Sequence, residues 1–127
     1  MNFNQSMRQY IDTDIQHRTA VDNPHTIIKE VLIELKKNME TLAYALDNEP
    51  VVSDMKSKAF SKSLTAIYIL QSSLNFENGG EIASNLYDLY DFCKRGIMKG
   101  FTTKNSKLVY DAIPPIEEIL DGWRQIS

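Results

Sequence analysis

The sequence contains a single cysteine, Cys93, among its 127 residues. One thiol cannot form an internal disulfide or a cysteine cluster for zinc, so we expect neither a disulfide nor a structural zinc site to stabilise this chain. Histidine is almost as rare. Only His17 and His25 are present, and neither follows a glutamate by three residues, as carboxylate-bridged metal sites in helical bundles require. We therefore expect no metal, no cofactor and no enzymatic chemistry.

Positive charge and long apolar runs are also scarce. Lys and Arg number 14 against 17 Asp and Glu, and this net charge of -3 leaves no basic excess for nucleic-acid phosphates. No uninterrupted apolar run is longer than that of residues 66–70, which is far shorter than the about 20 residues of a membrane span. The first 14 residues lack the basic start and apolar stretch of a secretion signal. The sequence thus predicts a cytoplasmic protein that binds neither nucleic acid nor membrane.

The remaining composition is typical of one soluble globular domain. Hydrophobic residues make up 43% and charged residues 24%, and a chain of this length buries roughly two-thirds of its surface on folding. Residues 1–22 are polar and carry no sustained hydrophobic period. We interpret residues 1–22 as an N-terminal arm and residues 23–127 as the domain.

Four stretches of the domain repeat apolar residues at alternating spacings of four and three, the period of an amphipathic helix. Asn23 and Pro24 supply a cap and a first-turn proline for the first helix, which is expected to end near Asp47. The second helix is expected to begin at Ser53 or Pro50. No stretch alternates with a period of two over a useful length. These patterns predict an all-α, antiparallel, up-down four-helix bundle.

The third and fourth helices carry clear boundary signals. The third is expected to begin at Glu81, after a turn over residues 75–80, and to stop at Gly100. Capping residues at 102–106 precede the fourth helix, which holds Pro114-Pro115 in its middle. Each proline removes a backbone donor and crowds the preceding turn. Because the apolar stripe keeps its phase across them, we predict a last helix kinked at Pro114-Pro115 rather than a reversal.

One apolar stripe on each helix is expected to face the core. The expected stripes are Ile28, Leu32, Leu35, Met39, Leu42 and Leu46 in the first helix; Phe60, Leu64, Ile67, Gln71 and Leu74 in the second; Ile82, Leu86, Leu89, Cys93 and Ile97 in the third; and Val109, Ile113, Ile116, Leu120 and Trp123 in the fourth.

The second and third helices carry more apolar residues than one core-facing stripe needs. The second is apolar almost all round at residues 66–70, and the third has a second stripe of Ala83, Tyr87 and Tyr90. Two interpretations stay open. These residues widen the core or meet a dimer mate, or they line an external hydrophobic groove. Tyrosine is suited to a groove because it has a large apolar ring and a hydroxyl that stays hydrated. Such a groove binds an amphipathic peptide that folds as it binds.

Two residues invite chemical interpretations that the sequence does not favour. Cys93 lies on an apolar stripe, which is typical of a buried and inert thiol. His25 lies at a helix end, where we interpret it as a solvated histidine. A phosphotransfer bundle, which would present a histidine in the middle of a helix, is the most distant alternative.

Residues 73–92, SLNFENGGEIASNLYDLYDF, resemble the third-helix signature of the FliS family of flagellar secretion chaperones. The signature has a Gly-Gly-Glu-Ile-Ala step followed by an Asn-Leu and a Leu-Tyr-Asp pattern. Residues 24–28 match the family's first-helix opening, a proline followed by a pair of large aliphatic residues. Tyr10 and Trp123 fall where the family carries a tyrosine in its arm and a tryptophan near its end. The similarity extends from about Tyr10 to Ile126.

The resemblance implies a cytoplasmic bundle that binds the disordered C-terminal region of flagellin, prevents its premature polymerisation and supports its secretion. It also implies contact with the flagellar export gate and self-association as a homodimer. Client contact is expected in a groove lined by Ile67, Leu70, Leu86, Tyr87 and Tyr90, with Tyr10 of the arm as a plug of the empty groove. Tyr90→Asp is then expected to weaken client binding without unfolding the chain. The alternative is a non-secretory helical adaptor that dimerises through the same stripes.

Overall fold

The structure, a computed structural model, describes residues 23–48 and 53–126. These residues form four helices and no strand: α1 at Pro24–Asp47, α2 at Ser53–Ser72, α3 at Phe76–Thr103 and α4 at Ser106–Gln125. The predicted arm, residues 1–22, lies outside the described residues.

Each helix packs against two others and runs antiparallel to both. α1 packs against α2 and α4, and α3 packs against the same two helices. His25 at the start of α1 contacts Trp123 at the end of α4, while Phe60 near the start of α2 stacks on Phe101 near the end of α3. The predicted all-α four-helix bundle is confirmed.

α1 begins and ends where the sequence predicts. The Asn23 side chain accepts a hydrogen bond from the Thr26 backbone N–H at 2.8 Å, and Pro24 occupies the first turn, where a missing donor costs nothing. The helix ends at Asp47. The centre of its predicted stripe is fully buried, so the four-and-three spacing identified the inner face of α1 correctly.

α4 also follows its predicted stripe. It continues from Ser106 to Gln125 through Pro114 and Pro115. Each proline leaves the carbonyl four residues earlier without its helical donor, here those of Tyr110 and Asp111. Both residues are exposed, so water can hydrate the freed carbonyls and the helix does not reverse.

α3 departs from the prediction at both ends. Asn75 caps a first helical turn by accepting from the Asn78 N–H at 3.1 Å, where an irregular turn was expected. Gly80 then breaks the helical geometry with φ +50°, ψ -123°, a backbone conformation that favours glycine. The predicted stop at Gly100 is wrong, because α3 continues to Thr103 and ends at Lys104, which is left-handed.

Gly96 and Gly100 have a packing role rather than a terminating one. A Cβ atom at Gly96 would lie 3.0 Å from the Leu108 carbonyl oxygen of α4. A Cβ atom at Gly100 would lie 2.7 Å from Val109 Cγ2 and 2.9 Å from the Asn105 carbonyl oxygen. The two glycines therefore allow α3 and α4 to approach closely, as small residues do in tightly packed helix pairs.

The core contains one polar side chain that lacks a partner. Ser63 of α2 is fully buried, and its Oγ makes no hydrogen bond to any described residue. A buried hydroxyl without a partner costs about 1–3 kcal/mol relative to its hydrated state. We expect Ser63→Ala to raise the free energy of unfolding by about 1 kcal/mol, measured by urea unfolding.

The matched control for this prediction is Ser61→Ala on the exposed face of α2. That change reports the gain in helix propensity alone, about 0.5 kcal/mol. A Ser63→Ala gain no larger than the Ser61→Ala gain would mean that the buried hydroxyl is not destabilising.

Candidate functional site

The structure distributes the predicted groove residues between the core and the surface. Ile67, Leu70 and Tyr90 are buried, with at most 1% of the side chain exposed. Leu86 is half-buried, and Tyr87 is 40% exposed. The first three cannot contact a client unless the bundle opens. Tyr10 lies outside the described residues.

The error in α3 is a rotation of the helix about its axis. The sequence assigned Ile82 to the core and Ala83 and Tyr90 to a surplus stripe. In the structure Ile82 is 71% exposed, whereas Ala83 and Tyr90 are buried together with Cys93 and Ile97. The inner face of α3 thus lies between the two predicted stripes, and Tyr87 falls outside it.

The same displacement affects α2. Its most buried positions include Ala59, Ser63 and Ala66, in addition to Ile67 and Leu70. Three of these are small, and a hydropathy pattern gives little weight to small or polar residues. Their spacing of four and three is nevertheless a helical period, and this signal could have located the inner face of α2.

Side chains of α2 and α3 line the boundary between the two helices, which we call the α2–α3 groove: Leu64 and Leu86 are half-buried, and Tyr68, Tyr87 and Met98 are exposed. Gln71 Nε2 of α2 donates to the Tyr87 carbonyl oxygen of α3 at 3.2 Å, which places Tyr87 beside α2. Tyr68 lies one turn before Gln71 on the same side and is 36% exposed. The groove therefore presents two tyrosines at its rim.

Two aromatic side chains pack between α2 and α3 near the start of α2 and the end of α3. The rings of Phe60 and Phe101 stack with their centroids 3.9 Å apart, and Lys56 Nζ lies 5.5 Å from the Phe101 centroid. The interface between α2 and α3 is the smallest of the four in the bundle. The glycine-lined interface between α3 and α4, by contrast, leaves less room for a ligand.

His25 is half-buried and bonded to another helix, whereas the sequence-based interpretation made it a solvated residue. Its Nε2 donates to the Trp123 carbonyl oxygen at 3.0 Å, and Trp123 Nε1 donates to the His25 carbonyl oxygen at 2.9 Å. The two rings stack with centroids 5.2 Å apart. The pair joins the first turn of α1 to the last turn of α4, a contact across 98 residues that periodicity cannot reveal.

A second contact joins the other ends of the same two helices. Asp47 at the end of α1 accepts hydrogen bonds from Ser106 Oγ and, at 3.1 Å, from the Tyr110 hydroxyl of α4. The pKa of the Tyr110 phenol is raised by desolvation and by the Asp47 carboxylate. α1 is thereby held to α4 at both ends.

The predicted burial of Cys93 is confirmed. Cys93 is fully buried, and its Sγ donates to the Ala112 carbonyl oxygen at 3.4 Å. Burial raises the pKa of the Cys93 thiol to about 12, and burial also raises the pKa of the nearby Tyr90 phenol. A thiol that stays protonated at neutral pH is a poor nucleophile.

Residues 23–48 and 53–126 hold no cluster of His, Cys, Asp and Glu that could bind a metal ion. Within the same ranges, no helix has the length and apolar content to cross a membrane.

Comparison with known proteins identifies close relatives over almost the whole chain. Residues 4–127 match the family described as flagellar protein FliS. The flagellar secretion chaperone FliS of Vibrio cholerae is 31% identical over 128 residues, covering 95% of this chain and 88% of the relative. The flagellar secretion chaperone FliSB of Pseudomonas aeruginosa is 27% identical over 125 residues, with 96% and 95% covered. FliS of Salmonella typhimurium is 25% identical over 122 residues, with 95% and 89% covered.

Proposed function

The chain belongs to the FliS family of flagellar secretion chaperones, and on that premise we propose that it binds the disordered C-terminal region of flagellin in the α2–α3 groove. Covering that region in the cytoplasm prevents premature polymerisation and holds flagellin ready for the export gate. The chemistry is recognition alone, without catalysis or a cofactor.

The observation that carries this proposal is the exposure of Tyr68 and Tyr87 along the smallest interface of the bundle. Tyrosine rings bury apolar area while their hydroxyls stay hydrated, so they tolerate both the empty and the occupied state. An amphipathic segment can place its apolar side against such a rim and form helix as it binds. Ile67, Leu70 and Tyr90 then support the groove from beneath.

The arm completes the proposal. His25 contacts Trp123 at the end of α4, so α1 begins where α4 ends. Because α3 runs antiparallel to α4, α3 begins at that same end of the bundle. Tyr10 precedes Asn23 by 13 residues, and an extended chain of that length reaches about 45 Å. The segment between Tyr10 and Asn23 is therefore long enough to place Tyr10 in the groove beside Tyr87. Client binding would then displace the arm, which lowers the apparent affinity.

Titration calorimetry with the cognate flagellin C-terminal segment tests the function. We expect stoichiometric binding to the wild-type chain and at least a tenfold loss of affinity in Tyr87→Asp, because the substitution places a charge in the apolar contact. The matched control is Tyr44→Asp, which alters another exposed tyrosine, on α1 and outside the groove (55% exposed against 40% for Tyr87), and should leave affinity unchanged.

Two outcomes would contradict the proposal. Failure of the flagellin segment to bind wild-type protein would remove the function itself. Equal weakening by Tyr87→Asp and Tyr44→Asp would retain the client and remove the α2–α3 groove as its site.

A further inference from the structure

Gln71 is a polar side chain on the side of α2 that faces α3. Phe60, Leu64 and Ile67 precede it on that side. Ile67 is fully buried, and Phe60 and Leu64 are half-buried and pack against the core. Gln71 follows Ile67 by four residues and is itself half-buried. A long polar side chain thus interrupts the apolar lining of α2 beside the α2–α3 groove.

One hydrogen bond fixes how the Gln71 amide is turned. Its Nε2 donates to the Tyr87 carbonyl oxygen of α3 at 3.2 Å. A backbone carbonyl only accepts, so the nitrogen of the amide, and not its oxygen, must face α3. Within residues 23–48 and 53–126 the Gln71 side chain makes this one hydrogen bond. Because a primary amide has two N–H donors and an accepting oxygen, one donor and the acceptor are left for another partner.

The two remaining polar groups of Gln71 have opposite effects on the empty and the occupied groove. In the empty groove the side chain is half-buried, so water can satisfy them. An apolar ligand surface laid over the groove would displace that water and leave a donor and an acceptor without partners, which opposes binding. A ligand that supplies the missing partners avoids this cost.

We propose, on the basis of the proposed function, that Gln71 determines specificity in the α2–α3 groove by selecting a client segment with an uncharged amide side chain, Asn or Gln, on its apolar face. Two amides satisfy each other, because each offers both a donor and an acceptor. A leucine at the same place in the client fills the volume but leaves Gln71 unsatisfied. The site therefore rejects a more hydrophobic client at this one position.

The charges beside Gln71 favour a neutral partner. Asp88 follows Tyr87 and is exposed, and Asp91 lies one turn after Tyr87. A client carboxylate at this position would be repelled by both. A client ammonium would be attracted, but it has donors only and cannot accept from the free N–H of Gln71. An amide meets neither difficulty.

The neighbours of Gln71 define the sequence pattern of the client around the amide. Tyr68 lies one turn before Gln71 and Leu64 lies two turns before it, and both line the groove. On a client helix lying along the groove, the amide faces Gln71 while residues about one and two turns away meet Tyr68 and Leu64. The expected pattern is an Asn or Gln with large apolar residues three or four and seven positions to one side.

A purely structural role for Gln71 makes a different prediction. Its bond to Tyr87 ties α2 to α3, and loss of that tie would weaken the binding of every client alike. A specificity role makes the effect of Gln71 depend on which client side chain lies opposite, because only a mismatched client leaves polar groups unpaired.

Titration calorimetry of the full chain with the cognate flagellin C-terminal segment separates the two roles. Each Asn and Gln of the segment is replaced singly by leucine. For the wild-type chain we expect one of these replacements to raise the dissociation constant at least about tenfold. For Gln71→Met the same leucine peptide should bind at least as tightly as the parent segment. Methionine is unbranched and adapts to its surroundings, so the variant retains the shape of the groove.

Two further variants serve as controls. Leu64→Ala removes an apolar contact of the groove and should weaken the parent segment and the leucine peptide by the same factor. Gln125→Met makes the same chemical change on an exposed residue at the end of α4 and should alter neither affinity. Thermal melting of Gln71→Met should match the wild-type chain, because the two residues have similar helix propensities.

Two results would overturn the role of Gln71 while the proposed function stands. The wild-type chain could bind every leucine peptide within about threefold of the parent segment, which would mean that water satisfies the amide in the complex. Alternatively, the critical leucine peptide could be weakened by the same factor in Gln71→Met as in wild type, which would place its amide against another residue. Failure of the parent segment to bind the wild-type chain would instead remove the proposed function, and the role of Gln71 with it.

Discussion

Replacing Tyr90 with aspartate unfolds the chain or lowers its free energy of unfolding by at least about 4 kcal/mol. Removing a large buried aromatic side chain costs about 3–5 kcal/mol, and only 1% of Tyr90 is exposed. The aspartate adds a carboxylate that has no partner in an apolar site. Because a domain of this size is stable by about 5–15 kcal/mol, circular dichroism should record a much lower or absent melting transition.

The matched comparison is Tyr87→Asp on the same helix. Tyr87 is 40% exposed, so a carboxylate there stays hydrated and the free energy of unfolding should change by less than about 1 kcal/mol. A Tyr90→Asp chain that melts like Tyr87→Asp would show that Tyr90 is not part of the core. The sequence alone predicts that Tyr90→Asp leaves the fold intact. The burial of Tyr90 predicts instead that this substitution unfolds the chain.

Gly100→Ala is expected to lower the free energy of unfolding by about 2 kcal/mol, although alanine is the better helix former. Overpacking of a close contact costs about 1–3 kcal/mol. The new Cβ atom would lie 2.7 Å from Val109 Cγ2 and 2.9 Å from the Asn105 backbone oxygen, and backbone cannot rotate away. Urea unfolding of the variant measures the loss.

Gly122→Ala is the control for Gly100→Ala. Both glycines lie inside helices, but a Cβ atom at Gly122 would meet no atom within 4 Å. The substitution should therefore raise the free energy of unfolding by about 0.5–1 kcal/mol, the usual gain in helix propensity. If both alanines stabilise the chain equally, α3 and α4 are not packed as closely as the structure has them.

The contrast between α1 and α3 explains how much of the fold the sequence predicts. α1 has one dominant apolar stripe, so its inner face and its ends at Pro24 and Asp47 follow from spacing and capping alone. α3 has two adjacent stripes, and periodicity cannot choose between them. Tertiary packing settles the choice by turning the helix until Gly96 and Gly100 meet α4.

The site was predicted less completely than the fold for the same reason. An apolar residue beside a core stripe is a groove residue or a core residue according to the rotation of its helix. Tyr87 and Tyr90 differ by three residues, yet one is at the surface and the other is buried. The stacked rings of Phe60 and Phe101 pack between α2 and α3 from positions 41 residues apart, and no local pattern indicates such a contact.

The small α2–α3 interface also bears on how a chaperone of this kind releases its client. The α2–α3 groove is bounded by tyrosines, and its two helices make few direct contacts. It therefore offers a client an apolar contact area rather than a deep pocket. Binding there is opposed by the ordering of the flexible segment, so a large contact area does not require extreme affinity. Under the proposed function, an affinity limited in this way would allow the client to leave again.

The contact between His25 and Trp123 has a consequence for folding. Trp123 is the single tryptophan of the chain, and its ring stacks on a residue 98 positions away. Closing so long a loop carries an entropic cost that is met only after the helices between the two residues have assembled. We therefore expect the intrinsic fluorescence of this one indole to change late in refolding, when the two ends of the bundle come together.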